Sequence, residues 1–153
     1  VRISAKADYA VRAAVVLAAA GTDRPLKAET IALSQEIPLK FLLNILSDLK
    51  RARIVVSHRG SQGGFQLARE AAEITVADVI RAVEGPLASV HEILPENVHY
   101  PPPSESLRQV WIAVRASLRS VLETVTIAHL ASGHLPKSIV ALSSSPEALT
   151  VRR

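Results

Sequence analysis

The sequence predicts a mainly α-helical fold with one small β-hairpin wing, followed by a long carboxy-terminal helix suited to pairing. Three observations carry that expectation. Residues 37–69 read IPLKFLLNILSDLKRARIVVSHRGSQGGFQLAR, a helical pattern followed by two short strands around a glycine-rich basic tip. Aromatic residues make up only 3% of the 153-residue chain, so the core must be built from Ala, Val, Leu and Ile, which favours close-packed helices. From Leu107 onward apolar residues recur at alternating spacings of four and three, a heptad seam.

Taken in order, Ser4–Ala20 is expected as the first helix, with Ser4 as its N-cap and Gly21 as its end. Ile3, Ala7, Ala10, Ala14 and Leu17 share one face, widened by Val11, Val15 and Ala18. Asp8 and Arg12 stand one turn apart and are expected to pair. Lys27–Gln35 forms a second helix that turns Ala28, Ile31 and Ala32 inward. After the turn Glu36-Ile37-Pro38, a third helix runs from Pro38, at its first position, to Arg51. Leu42, Ile45, Leu46 and Leu49 make its buried stripe, leaving Lys40, Leu43, Asn44, Ser47, Lys50 and Arg51 largely outside it.

Two short helices across a tight turn are the helix-turn-helix arrangement, in which the second helix enters a major groove of double-stranded DNA. On that reading Lys40 bonds guanine or phosphate, Asn44 reads adenine, and Phe41 or Leu43 touches a thymine methyl. Phe41 and Leu43 equally suit packing roles, and the sequence leaves both open. Ile54–Ser57 and Phe65–Leu67 are the wing strands, with residues 58–64 as the tip. Arg59 is the natural minor-groove or phosphate contact, and Ser61 and Gln62 can hold phosphate. The glycine spacing fits neither a Walker loop nor a dinucleotide fingerprint.

Charge supports the same assignment. Residues 1–69 carry 11 Lys/Arg against 5 Asp/Glu, a net +6, whereas residues 70–153 carry 7 against 9, a net −2. The whole positive excess lies in the half with the suspected DNA-reading module. With no cysteine, there is no disulfide, thiolate metal site or cysteine nucleophile. No nucleophile–base pair or carboxylate dyad appears at usable spacing, which argues against an enzyme. No signal-peptide pattern or membrane span is recognised, so a cytoplasmic protein is expected.

Thr75–Glu84 is expected as a further helix, capped by Thr75 with Asp78 three residues on, and returning Val76, Val79, Ile80 and Val83 to the core. The expected organisation is then a winged helix-turn-helix over 1–85, an irregular connector over 86–103, a dimerisation helix over 104–132 capped by Ser104, and a tail over 133–153. Leu107, Trp111, Val114, Leu118, Val121 and Val125, continued by Ala128, form the seam expected to pair with a second copy. In the tail, Ser138–Leu142 suits a short strand. In the connector, His91, Glu92 and His99 are weak candidates for a zinc or iron site, with exposed polar residues the plainer reading.

RISAKADYAVRAAVVLA, IPLKFLLNILSDLKRARIV, RGSQGGFQLAR and EITVADVIRAVEGPL, in that order, resemble the IscR/NsrR/CymR family of bacterial transcription regulators, the Rrf-two type; the helix with Trp111 and the segment TVTIAHLA continue the match. The resemblance implies a homodimer on an inverted-repeat operator, paired through the helix near 104–132. It places Pro38, Lys40, Phe41 and Leu43 at recognition-helix positions and Arg59 at the wing arginine. Leu43 stands where some relatives carry a base-reading acid, so the operator is expected to differ from theirs. Many relatives hold an iron–sulfur cluster through three connector cysteines, with an acidic residue of the first helix, here resembled by Asp8, as a further ligand in some. This connector, LASVHEILPENVHYPPPSES, has none. Such clusters are held by thiolates, so no iron–sulfur cofactor is expected. The effector is open among a metabolite, a metal and a protein partner. A protein-interaction module is the alternative to a DNA-binding repressor.

Overall fold

The computed structural model describes residues 1–153. Eight helices and one two-stranded antiparallel sheet run in the order α1 (Ala5–Ala20), α2 (Ala28–Gln35), α3 (Leu39–Arg51), β1 (Val55–His58), β2 (Gly64–Leu67), α4 (Val76–Glu84), α5 (Leu107–Leu122), α6 (Ile127–Ser132), α7 (Lys137–Ser143) and α8 (Pro146–Leu149). This is the mainly helical, winged architecture the sequence predicts. No helix is long and apolar enough to cross a membrane.

The main core is a cluster of aliphatic side chains where α1, α2, α3 and α4 meet the wing, with a second, smaller cluster of Ala7, Ala77, Ile80 and Leu87 beside it. Ala10, Ala13, Ala14 and Leu17 of α1, Ile31 of α2, and Leu42, Ile45, Leu46 and Leu49 of α3 are all buried in it. Alanine at the α1 contact positions lets the other helices approach closely. Ser4 accepts from the Ala7 N–H at 3.0 Å and starts α1 as its sequence suggests. Asp8 and Arg12 pair at 3.0 Å one turn apart. Ile3, by contrast, lies outside this core and is exposed, because it precedes the first turn. Thr75 and Asp78 satisfy each other's backbone N–H groups at the start of α4, a reciprocal capping box. Val76 is only half-buried, and Ala77 takes the inward position expected of it.

Three expectations are corrected. Pro38 is the N-cap of α3 rather than its first residue. The helix expected from 104 to 132 is two helices: Ser104 precedes the first and does not cap it, and the chain breaks at Glu123–Thr126. Thr126 recaps the chain by accepting from the His129 N–H at 3.1 Å, while His129 Nδ1 accepts from the Thr126 N–H at 3.0 Å. Beside the break, the Val76 N–H donates to the Val125 carbonyl at 2.9 Å and the Ile127 N–H donates to the Ile74 carbonyl at 2.8 Å. The break therefore sews α6 back onto the first domain, where Ile127 joins the main core. The third correction lies in the tail: Ser138–Leu142 is helical, inside α7, because Pro136 sets up a helix start and no strand is available to pair with it.

Candidate nucleic-acid interface

Helix α3 is fixed from three sides. Its four inward residues, Leu42, Ile45, Leu46 and Leu49, are fully buried. Near its N-terminus, Phe41 meets Tyr9 of α1 edge-to-face, with ring centroids 5.7 Å apart. The Arg12 guanidinium lies 4.8 Å from the Tyr9 ring centroid and donates to the Gln35 carbonyl at the end of α2 at 2.8 Å. At mid-helix, Lys6 of α1 holds Asp48 at 2.9 Å, and Arg51 holds the same carboxylate at 3.2 Å. The Lys6 hydrogen bond is the largest cause holding the Asp48 carboxyl below its ordinary value, partial burial opposes it, and the Lys6 and Arg51 charges add to it.

What α3 leaves to solvent is the set read from sequence. Pro38, Lys40, Phe41, Leu43, Asn44 and Ser47 are all exposed. Leu43 and Phe41 are 48% and 40% exposed, large values for apolar side chains on a helix whose other face is dry. Phe41 takes the packing role, with one edge on Tyr9, and leaves the rest of its ring facing outward.

The wing continues from α3 without slack. The Ile54 N–H donates to the Leu49 carbonyl at 2.9 Å, and Ile54 and Val55 are buried. The strands pair Val55 with Leu67, Val56 with Gln66, Ser57 with Phe65 and His58 with Gly64, one residue longer toward the tip than expected. Leu26 adds a third rung, exchanging backbone hydrogen bonds of 2.8 and 2.7 Å with Phe65. That rung explains Gly64, and the tight tip turn explains Gly63. A Cβ on Gly64 would sit 2.5 Å from the Leu26 backbone, and one on Gly63 would sit 2.2 Å from the His58 carbonyl oxygen. The tip carries Arg59, Ser61 and Gln62 into solvent, and Arg59 has no partner within ion-pair or hydrogen-bond distance in its own chain. One rigid body therefore presents a helix face and a basic loop, the two parts a duplex reader needs.

The dimerisation residues fall less evenly. Val125 is buried in its own chain beside Val76, so it is unavailable to a second copy. Leu107 and Trp111 are half-buried, and Trp111 Nε1 donates to the Tyr100 hydroxyl of the connector at 2.9 Å. The open apolar face of α5 runs through Val114, Leu118 and Val121, as expected, together with Val110, Ala113 and Ser117, which the seam reading missed. Helix wheels could have found them: Val110, Val114, Ser117 and Val121 repeat at four, three and four.

The connector residues His91 and Glu92 occupy the tip of a tight turn, with φ of 49° and 65° and paired hydrogen bonds of 2.9 Å between Val90 and Ile93. Neither they nor His99 join a group of three His, Cys, Asp or Glu side chains able to hold a metal. His91 and Glu92 at the tip of the turn are exposed.

The chain matches the family model Rrf2, described as an iron-dependent transcriptional regulator, over residues 3–133. It belongs to the Rrf2 family. It is 49% identical over 142 residues to a candidate HTH-type transcriptional regulator of Mycobacterium tuberculosis, Rv1287, covering 93% of this chain and 88% of that one. It is 32% identical over 131 residues to the HTH-type transcriptional regulator CymR of Bacillus subtilis, covering 86% and 90%. The solved structure of that CymR, the global cysteine regulator of B. subtilis, superposes with a TM-score of 0.73 at 30% identity over 87% of this chain and 98% of that chain. The IscR structure from T. potens superposes with a TM-score of 0.69 at 29% identity over 100% and 94%. The Rrf2 member described here is thus a helix-turn-helix, DNA-binding transcriptional regulator. The iron in the family's description does not fit this chain's donors: it has no cysteine, and no three oxygen or nitrogen ligands gather.

Proposed function

We propose that this Rrf2 protein is a homodimeric repressor that occupies an inverted-repeat operator and works without an iron–sulfur cluster. The observation that carries the proposal is the division of α3 into a wholly dry stripe and a solvent face bearing Lys40, Leu43, Asn44 and Ser47. In a major groove, Lys40 bonds guanine or phosphate, Asn44 reads adenine, and Leu43 and Phe41 lie against thymine methyls. Pro38 and Ser47 lie at the two ends of that contact. Arg59 enters the neighbouring minor groove, with Ser61 and Gln62 on phosphates.

Dimerisation has its own support. A 16-residue helix with no buried residue, amphipathic and exposing Val110, Val114, Leu118 and Val121, needs an apolar partner. A second copy meets that need by two-fold pairing of the same face, which also sets two α3 helices for successive major grooves. Leu107 and Trp111 flank the seam. Operator occupancy by such a dimer blocks polymerase access, the repressor mode. Selection of bound sites from a random DNA pool tests the proposal: a symmetric pair of half-sites is expected, and absence of any enriched sequence contradicts it.

A further inference from the structure

Beneath α4, on the side of α5 away from its open apolar face, lies a cavity of about 390 Å³ that the DNA-reading role does not use. Arg81 of α4 and Arg115 and Arg119 of α5 line it, with Gly85, Pro86, Leu87 and Leu94, and Glu96 is its only carboxylate. The three guanidiniums are only partly engaged. Arg115 binds Glu96 at 2.6 Å, and its side chain is 16% exposed. Arg81 binds Glu123 and approaches Asp78 at 3.8 Å. Arg119 comes no nearer than 3.7 Å to Glu123 and makes no hydrogen bond. A guanidinium carries more donors than these contacts use, in a planar fork matched to a carboxylate or phosphate. The carboxylate partners are part-exposed, so their ion pairs are weak enough to be exchanged.

We infer that this cavity is an effector site for a compact oxyanion, a small di- or tricarboxylate or a phosphate, gripped by Arg115 and Arg119 with Arg81 as the third contact. Its place in the fold makes it an effector site rather than a passive one. Contacts between the first domain and α5 are few: Leu122 packs on the small cluster of Ala7, Ala77, Ile80 and Leu87, and Arg81–Glu123 is the ion pair that straps the two together beside it. Arg108 and Arg115 also both hold the turn Pro95–Asn97 through Glu96, the former at the backbone carbonyl at 3.0 Å. An oxyanion that draws Arg81 from Glu123 loosens the strap, and the angle between α3 and the dimer helix changes with it. That consequence rests on the regulator reading above, whereas the binding itself does not.

Calorimetric titration of the full chain with inorganic phosphate, succinate and citrate at constant ionic strength reads the site without DNA. Succinamide serves as the uncharged control. At least one anion is expected to bind saturably, succinamide not at all, and the affinity is expected to fall at least tenfold in both Arg119→Gln and Arg115→Gln. Arg119→Gln removes no hydrogen bond, so it keeps the fold, and thermal melting verifies that. The emission of Trp111, one turn from Arg115 and the chain's only tryptophan, is expected to change along the same isotherm. The bound anion is expected to shift affinity for a selected DNA site at least threefold, and not in Arg119→Gln. No saturable binding by any of the three anions, undiminished binding in both variants, or an unshifted DNA affinity overturns the inference. A chain that binds the anion but no duplex overturns the regulator reading and the effector role together, leaving the calorimetric site standing.

Discussion

Helices α1 and α5 each run 16 residues, yet they end in opposite surroundings. Five residues of α1, Ala7, Ala10, Ala13, Ala14 and Leu17, are buried, and none of α5 is. The difference does not follow from how amphipathic each helix is. α1 carries small apolar residues on most of its faces, with Lys6, Asp8 and Arg12 on the rest, and packs against α2, α3, α4 and α6, whereas α5 has a sharp apolar stripe that its own chain leaves uncovered. A helix whose continuous stripe of Val and Leu faces away from its few neighbours in its own fold leaves that stripe uncovered. The first domain is a finished reading head, and on the proposed dimer α5 is half of an interface.

The largest effects should come from the finished part. Leu46→Ala opens a fully buried site in the main core, and is expected to cost roughly 2–5 kcal/mol. Urea denaturation measures it; a loss under 1 kcal/mol would mean that the core can close around the gap. In the unfinished part, Leu118→Glu is expected to leave helical content unchanged, convert dimer to monomer by light scattering, and weaken operator binding by about a hundredfold or more, since two half-site contacts become one. An unfolded Leu118→Glu chain would place α5 in the protomer's own core instead.

Smaller changes sharpen the division within the reading head. Asn44→Ala and Lys40→Ala are expected to cost about 1–3 kcal/mol at the preferred site and to relax the sequence preference. Arg59→Ala should weaken all sequences alike and lower the salt slope of binding by about one. Mobility shifts over a salt series on matched and scrambled sites separate the two. The smallest effect concerns the Lys6–Asp48 tie. The Asp48 carboxyl is held below its ordinary value of 3.8, so it stabilises the fold fully above that value and loses this contribution as pH falls through its lowered folded value. Lys6→Gln should remove about 1 kcal/mol or less at neutral pH, with the difference from the parent chain vanishing in acid.

Much of the reading head was legible because its patterns are local. The stripe Leu42, Ile45, Leu46, Leu49, the cap at Ser4 and the capping box at Thr75 each depend on neighbours within a turn. The break at Glu123–Thr126 was not legible. The heptad spacing runs straight through Val125, and only tertiary hydrogen bonds to Ile74 and Val76 decide that Val125 and Ile127 turn inward. The recapping motif Thr126-Ile127-Ala128-His129 was the available signal, hidden because histidine rarely fills the reciprocal capping position. The role of Gly63 and Gly64 was half-visible: a bend was evident, but the backbone of Leu26 lying against Gly64 was not.

In the proposed assembly two copies, joined along α5, set two α3 helices on one duplex. Sedimentation equilibrium of the protein with a short duplex taken from the selected site pool measures it directly. Two chains per duplex are expected on a symmetric site, falling to one weakly bound chain for Leu118→Glu. A single chain per duplex at full affinity, unchanged by that substitution, would contradict it.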